Sequence, residues 1–102
     1  MKDLNSALLK ECKNYLDITW EDTAGDEKLT GMILRGMKRL NKIAGSELDF
    51  LVEEEQRELL FIRVMYERAA ALDDFEKNYR SELISLRNKE RVKRYVEKKQ
   101  DN

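Results

Sequence analysis

Residues 57–86 read RELLFIRVMYERAAALDDFEKNYRSELISL, without a proline, a glycine or a histidine. Nothing in this stretch removes a backbone donor or loosens the chain, so nothing in it stops a helix. Its apolar residues Leu59, Ile62, Met65, Ala69, Leu72, Phe75, Tyr79, Leu83 and Leu86 recur at spacings of three and four, the rhythm of one helix face. The reading is one long helix from about Val52 into the high eighties. Asp73-Asp74 and Asn78 are its weak points, because short polar side chains compete for backbone hydrogen bonds. A split into two helices near 73–80 is the alternative. Unbroken, such a helix spans about 50 Å. That is more than a domain of this size needs, so one end is expected to project and meet another molecule.

Upstream, two shorter helices are expected to pack on the long one. Leu4, Ala7, Leu8, Cys12, Tyr15 and Leu16 share a face of a first helix that ends near Asp17. A second helix carries the stripe Leu29, Met32, Ile33, Gly36, Met37, Leu40, Ile43 and Ala44. Thr23 and Asp26 have the spacing of a capping box, and Gly45 stands where a left-handed C-terminal residue is wanted. Gly36, on the buried stripe, is expected to let another helix approach closely. The loop DITWEDTAGDE joins the first two helices, and Ser46–Phe50 forms a second short connection. Trp20, in the first loop, is expected to fold back over the core, with a contact aromatic as the alternative.

Composition agrees with this all-α reading. The chain has 102 residues, 40% of them charged, no proline and four glycines. This suits one domain with a modest core. The run Leu59–Ile62 is too short to span a bilayer, and MKDLNSALLKE lacks the apolar centre of a signal peptide. One cysteine excludes an internal disulfide and suits a reducing compartment. The expectation is a soluble domain of residues 1–86 made in the cytoplasm, followed by a charged arm over 87–102 that is frayed in the free protein.

Charges are grouped, and the grouping says more than the net charge of −1. The loop 17–27 holds Asp17, Glu21, Asp22, Asp26 and Glu27 without a cation. Residues 47–58 hold six carboxylates, Glu53 and Glu54 among them, against Arg57. The second helix carries Lys28, Arg35, Lys38, Arg39 and Lys42 away from its apolar stripe. Arg87, Arg91, Arg94 and Lys98 share a face of the C-terminal segment, with Tyr95 and Val96 among them. Acids near helix starts and bases near helix ends complement the helix dipole, each by about 0.3–1 kcal/mol. The C-terminal cluster outruns a last turn, and separate acidic and basic patches suit head-to-side self-assembly.

Catalysis finds little footing. Histidine, the commonest general base, is absent, and Cys12 sits on an apolar stripe as a small buried hydrophobe. The acidic loop lacks the alternating ligands of an EF-hand, and the scattered glycines form no phosphate cradle. No cofactor or metal is expected. KIAGSEL has the look of a helix-turn-helix corner, but the following helix begins Glu53-Glu54-Glu55 and repels phosphates.

One resemblance covers roughly residues 4–86. KNYLDITWEDTAGDEKLTGMILRGMKRLNKIAG, then ELDF, then the stretch quoted above, resembles the small head–tail connector, or adaptor, proteins of tailed bacteriophages and prophages. The phrases that carry it are Tyr15-Leu16-Asp17-Ile18, Ala44-Gly45 and Tyr66 through Tyr79. The resemblance implies a virion protein that forms a ring beneath the portal protein after DNA packaging. It extends the channel through which genomic DNA passes without sequence-specific contact, and docks a downstream tail-completion protein. The candidate subunit or portal contacts are then Arg35, Lys38, Arg39, Lys42, Glu53, Glu54, Arg87, Arg91, Arg94 and Tyr95. The competing reading is a small cytoplasmic helical regulator or inhibitor that binds one protein partner.

Overall fold

Four consecutive apolar residues, Leu59-Leu60-Phe61-Ile62, cannot share one stripe, so the helix that carries them has to be covered all round. The computed structural model describes residues 2–100, with side chains from 5 to 99. It contains α1 (Lys2–Tyr15), α2 (Thr23–Ala44), α3 (Glu55–Arg68), α4 (Leu72–Asn78) and α5 (Arg80–Gln100), with no strand among the described residues. The protein is an all-α bundle measuring 51 × 31 × 17 Å. Leu59 through Val64 are all buried, which makes α3 the central helix, packed on α2 and α4. α2 also packs on α1 and α5, and α4 on α5. Each fully covered leucine or phenylalanine of this core contributes about 1.5–3 kcal/mol.

The expected single helix over Val52–Leu86 is not formed. It is divided at Ala69–Ala71 and again at Tyr79. The first break is a Schellman motif: Ala71 N–H donates to the Tyr66 carbonyl at 2.9 Å, Ala70 N–H to the Glu67 carbonyl at 3.0 Å, and Ala70 takes the left-handed φ of 56°. Three alanines are the best helix formers available, and a left-handed alanine costs about 1–2 kcal/mol. Tertiary packing outweighs both. The turn brings Phe75 into the core with no exposed surface, in an aromatic cluster with Tyr66 and Tyr79 at centroid distances of 5.9 and 5.5 Å. Met65 and Ala69, expected on the buried face, are exposed as a result.

The second break lies at a single residue. Tyr79 N–H donates to the Phe75 carbonyl and closes α4, Leu83 N–H donates to the Tyr79 carbonyl and opens α5, both at 2.9 Å, and Tyr79 itself sits at φ −111° and ψ 24°. The C-terminal part of the expected helix is α5, whose 21 residues run about 32 Å. It lies on α2 through Leu83 and Leu86, and Arg94 reaches the Ala44 and Gly45 carbonyls at 3.4 and 3.0 Å. Residues 101 and 102 of the charged arm lie outside the described residues.

The N-terminal half follows the sequence more closely. Leu8 and Cys12 are buried on α1, whereas Ala7 and Tyr15 are exposed and the side chain of Leu4 lies outside those described. α1 ends on another Schellman motif, with Asp17 at φ 59° and Ile18 N–H donating to the Lys13 carbonyl at 2.9 Å. α2 buries Leu29, Ile33, Gly36, Leu40 and Ala44. Gly45 closes it with a left-handed φ of 75°. The capping box is not formed: Thr23 is already helical, Asp22 precedes it without a side-chain cap, and Asp26 pairs with Lys13 at 3.0 Å. At Gly36 a Cβ would stand 2.6 Å from Leu60 Cδ1, so α2 and α3 meet at a glycine because no larger residue fits.

Candidate interaction surfaces

The basic face of α2 divides into two kinds of residue. Arg39 donates through Nε and Nη2 to Glu76 at 2.7 and 2.8 Å, tying α2 to α4. The pair raises the pKa of Arg39 and, through that same hydrogen bonding, holds the Glu76 carboxyl below the usual range. Arg35 meets Glu67 on α3 at 2.6 Å, and the buried Arg63 meets the same carboxylate at 3.2 Å. Arg35 and Arg39, read from sequence as contacts to other subunits, are thus engaged within their own chain. Lys38 and Lys42 are exposed and have no ion pair among the described residues.

Glu53 and Glu54 belong to a groove of about 580 Å³ between α1 and the start of α3. Tyr15 and Phe61 supply its aromatic wall, with ring centroids 5.6 Å apart. Glu11, Glu53, Glu54, Glu55 and Glu58 surround it, and Arg57 is its one cation. Arg57 is already committed: it donates to the Leu51 carbonyl at 3.2 Å, pairs with Glu53 at 3.0 Å, and lies over the Phe61 ring. Burial, with the Glu58 charge second, raises the pKa of the Tyr15 phenol, so it stays neutral and able to donate at physiological pH. Acids in the first turn of α3 also complement its dipole.

The four C-terminal candidates divide as well. Arg94 caps the end of α2, a favourable place for a cation, and is an internal strut. Beside it Ser46 donates to Glu90 at 2.9 Å, and Lys89 approaches Glu55 at 3.4 Å. Arg87, Arg91 and Tyr95 are exposed, and Lys99 lies over the Tyr95 ring at 5.5 Å.

Trp20 does not fold over the core. It is 57% exposed, on the edge of a cleft of about 290 Å³ shared with Ile18, Leu29, Met32 and Arg68. Its neighbours Asp17 and Ile18 form the Schellman turn, which carries the loop outward before the tryptophan is reached.

Sequence reasoning missed Glu67 and Glu76 as partners of the arginines, and Tyr15 and Phe61 as a shared wall. One signal for the ionic seam was present. Arg63 is the only charge in LLFIRV, and a lone cation inside an apolar run calls for a buried partner. The groove had no such signal, since it joins residues more than forty positions apart. Compared with protein-family models, curated proteins and solved structures, the chain finds no match.

Proposed function

We propose that this chain is a structural adaptor of a tailed-phage or prophage virion, a head–tail connector protomer that assembles as a ring against the portal and presents a docking surface to a tail-side protein. The observation that supports the reading is what becomes of the phrase that carries the resemblance. Tyr66, Phe75, Asn78 and Tyr79 converge in one knuckle, where the three rings pack together and Asn78 donates to the Tyr66 hydroxyl at 3.3 Å. A phrase of this kind is legible because it specifies a fold, the α3–α4 corner, and not a chemistry.

The α2 surface suits the same reading. Glu67 and Glu76 neutralise Arg35 and Arg39, which leaves Lys28, Lys38 and Lys42 as the cations of that face without an ion pair among the described residues. Reversing Arg35 and Arg39 therefore perturbs the bundle itself, whereas reversing Lys38 and Lys42 probes the ring contact.

Co-sedimentation of the full chain with purified portal protein tests the proposal. A stoichiometric ring on the portal is expected. A chain that ignores portal and binds one unrelated protein as a monomer or dimer establishes instead the small regulator, a reading that the exposed Trp20 beside its cleft of mixed apolar and charged lining favours.

A further inference from the structure

The outer face of α5 has no partner among the described residues. Leu83, Leu86, Glu90 and Arg94 look toward the bundle, and at about 100° per residue the opposite side collects Val92, Tyr95, Val96 and Lys99, with Arg91 on its flank. Val92, Tyr95 and Val96 are 60%, 61% and 46% exposed. The face is thus apolar at its centre, with cations at Lys99 and, on its flank, Arg91.

The acidic groove is its complement. Tyr15 and Phe61 give it an apolar wall, its rim is carboxylate, and its one cation is spent inside the chain. Among the described residues no three of these carboxylates converge as a cage for a metal ion, so the negative charge is spread along a groove and not focused on a point. Among the described residues none of α5 lines the groove; Lys89 touches only its edge, 3.4 Å from Glu55, and Arg94 pins α5 to the end of α2, so the chain does not fill its own groove with its own helix end.

We infer that the groove between α1 and the start of α3 receives the basic, apolar outer face of α5 from a second copy of the chain. Two α5 faces do not pair with each other, because their cations repel, whereas groove and helix match in both charge and apolar character. Groove and helix are different surfaces of one protomer, so the contact is heterologous and repeats from copy to copy, closing a ring when the rotation permits. The inference rests on the self-assembly part of the proposed function and not on portal binding.

The test is a charge exchange on the full chain, followed by sedimentation at low salt without portal. One variant carries Glu53→Lys, Glu54→Lys and Glu58→Lys; the other carries Arg91→Glu and Lys99→Glu. The wild type is expected to associate, less so as salt rises. Each variant alone is expected to associate about a hundredfold more weakly, and their mixture to recover, since the reversed groove accepts the reversed helix. Circular dichroism verifies that each variant is folded. Val92→Ser with Tyr95→Ser, which leaves all charges in place, is expected to weaken association as well. A wild type that stays monomeric at millimolar concentration, variants that associate like the wild type, or a mixture that fails to recover overturns the inference. A chain that passes this test but does not co-sediment with portal overturns the connector reading alone.

Discussion

Arg39 and Glu76 form a two-pronged ion pair across thirty-seven residues, at 2.7 and 2.8 Å, and it is the polar clasp between α2 and α4. The folded-state pKa of Glu76 is depressed below its ordinary 4.5, so its contribution to stability is present above that pH and lost as pH falls through the folded value. Both side chains are about two-fifths exposed, so solvent screening keeps the pair near the surface range of up to about 1 kcal/mol. Glu76→Gln is expected to lower stability by that order at pH 7 and to converge with the wild type in acid. Urea unfolding at pH 7 and pH 3 measures both.

Ala70 occupies a position built for glycine. Ala70→Gly is expected to stabilise the protein by about 1 kcal/mol, as relief of the left-handed strain exceeds the added freedom of the unfolded chain. An unchanged urea m-value with a raised midpoint is the signature. A fall in stability means that the turn is not held as described.

Gly36 and Leu60 predict a change of sign. Gly36→Ala gains about 1 kcal/mol of helix propensity but meets Leu60 Cδ1, and overpacking costs about 1–3 kcal/mol, so the change destabilises the otherwise wild-type protein. In a Leu60→Ala background the obstruction is gone, and the same Gly36→Ala change is expected to stabilise. Equal effects in the two backgrounds would show that these residues do not touch.

Cys12 is fully buried, and burial pushes its thiol up to about 12, with Arg68 pulling weakly the other way. Thiolate is the reactive form, so labelling by a disulfide reagent at pH 8 is expected to be negligible in the native protein. The rate should rise only through the unfolding transition. Rapid labelling without denaturant would place Cys12 at the surface.

The parts of this fold that a sequence can show are those set by residue type and period. Gly45 and Gly36 were legible because only glycine suits a left-handed cap or a tight crossing, and Cys12 because its stripe pointed inward. The break at Ala70 was not legible, because alanine signals helix and the turn is imposed by Phe75 seeking the core. Trp20 misled for a related reason: its size predicts burial, but the turn at Asp17 directs its loop away. On the interaction surfaces, Glu53, Glu54, Arg91 and Tyr95 were visible as charge patches and an interspersed aromatic. What had to be seen in three dimensions was which arginines already had partners.

Arg63 has a consequence of its own. Its guanidinium is buried beside Gly36, bonded to Glu67 through Nη1, and its Nε has no partner among the described residues. Apolar packing over Leu59–Val64, where every position is buried, would accept more than one angle, and exposed Glu58, Met65 and Arg68 mark only the solvent side of α3. Only one angle delivers the guanidinium to Glu67, so this costly cation gives α3 a single rotational phase. Arg63→Met is expected to keep the helix content while broadening the methyl resonances of the core, as the central rod begins to turn among near-equivalent seats.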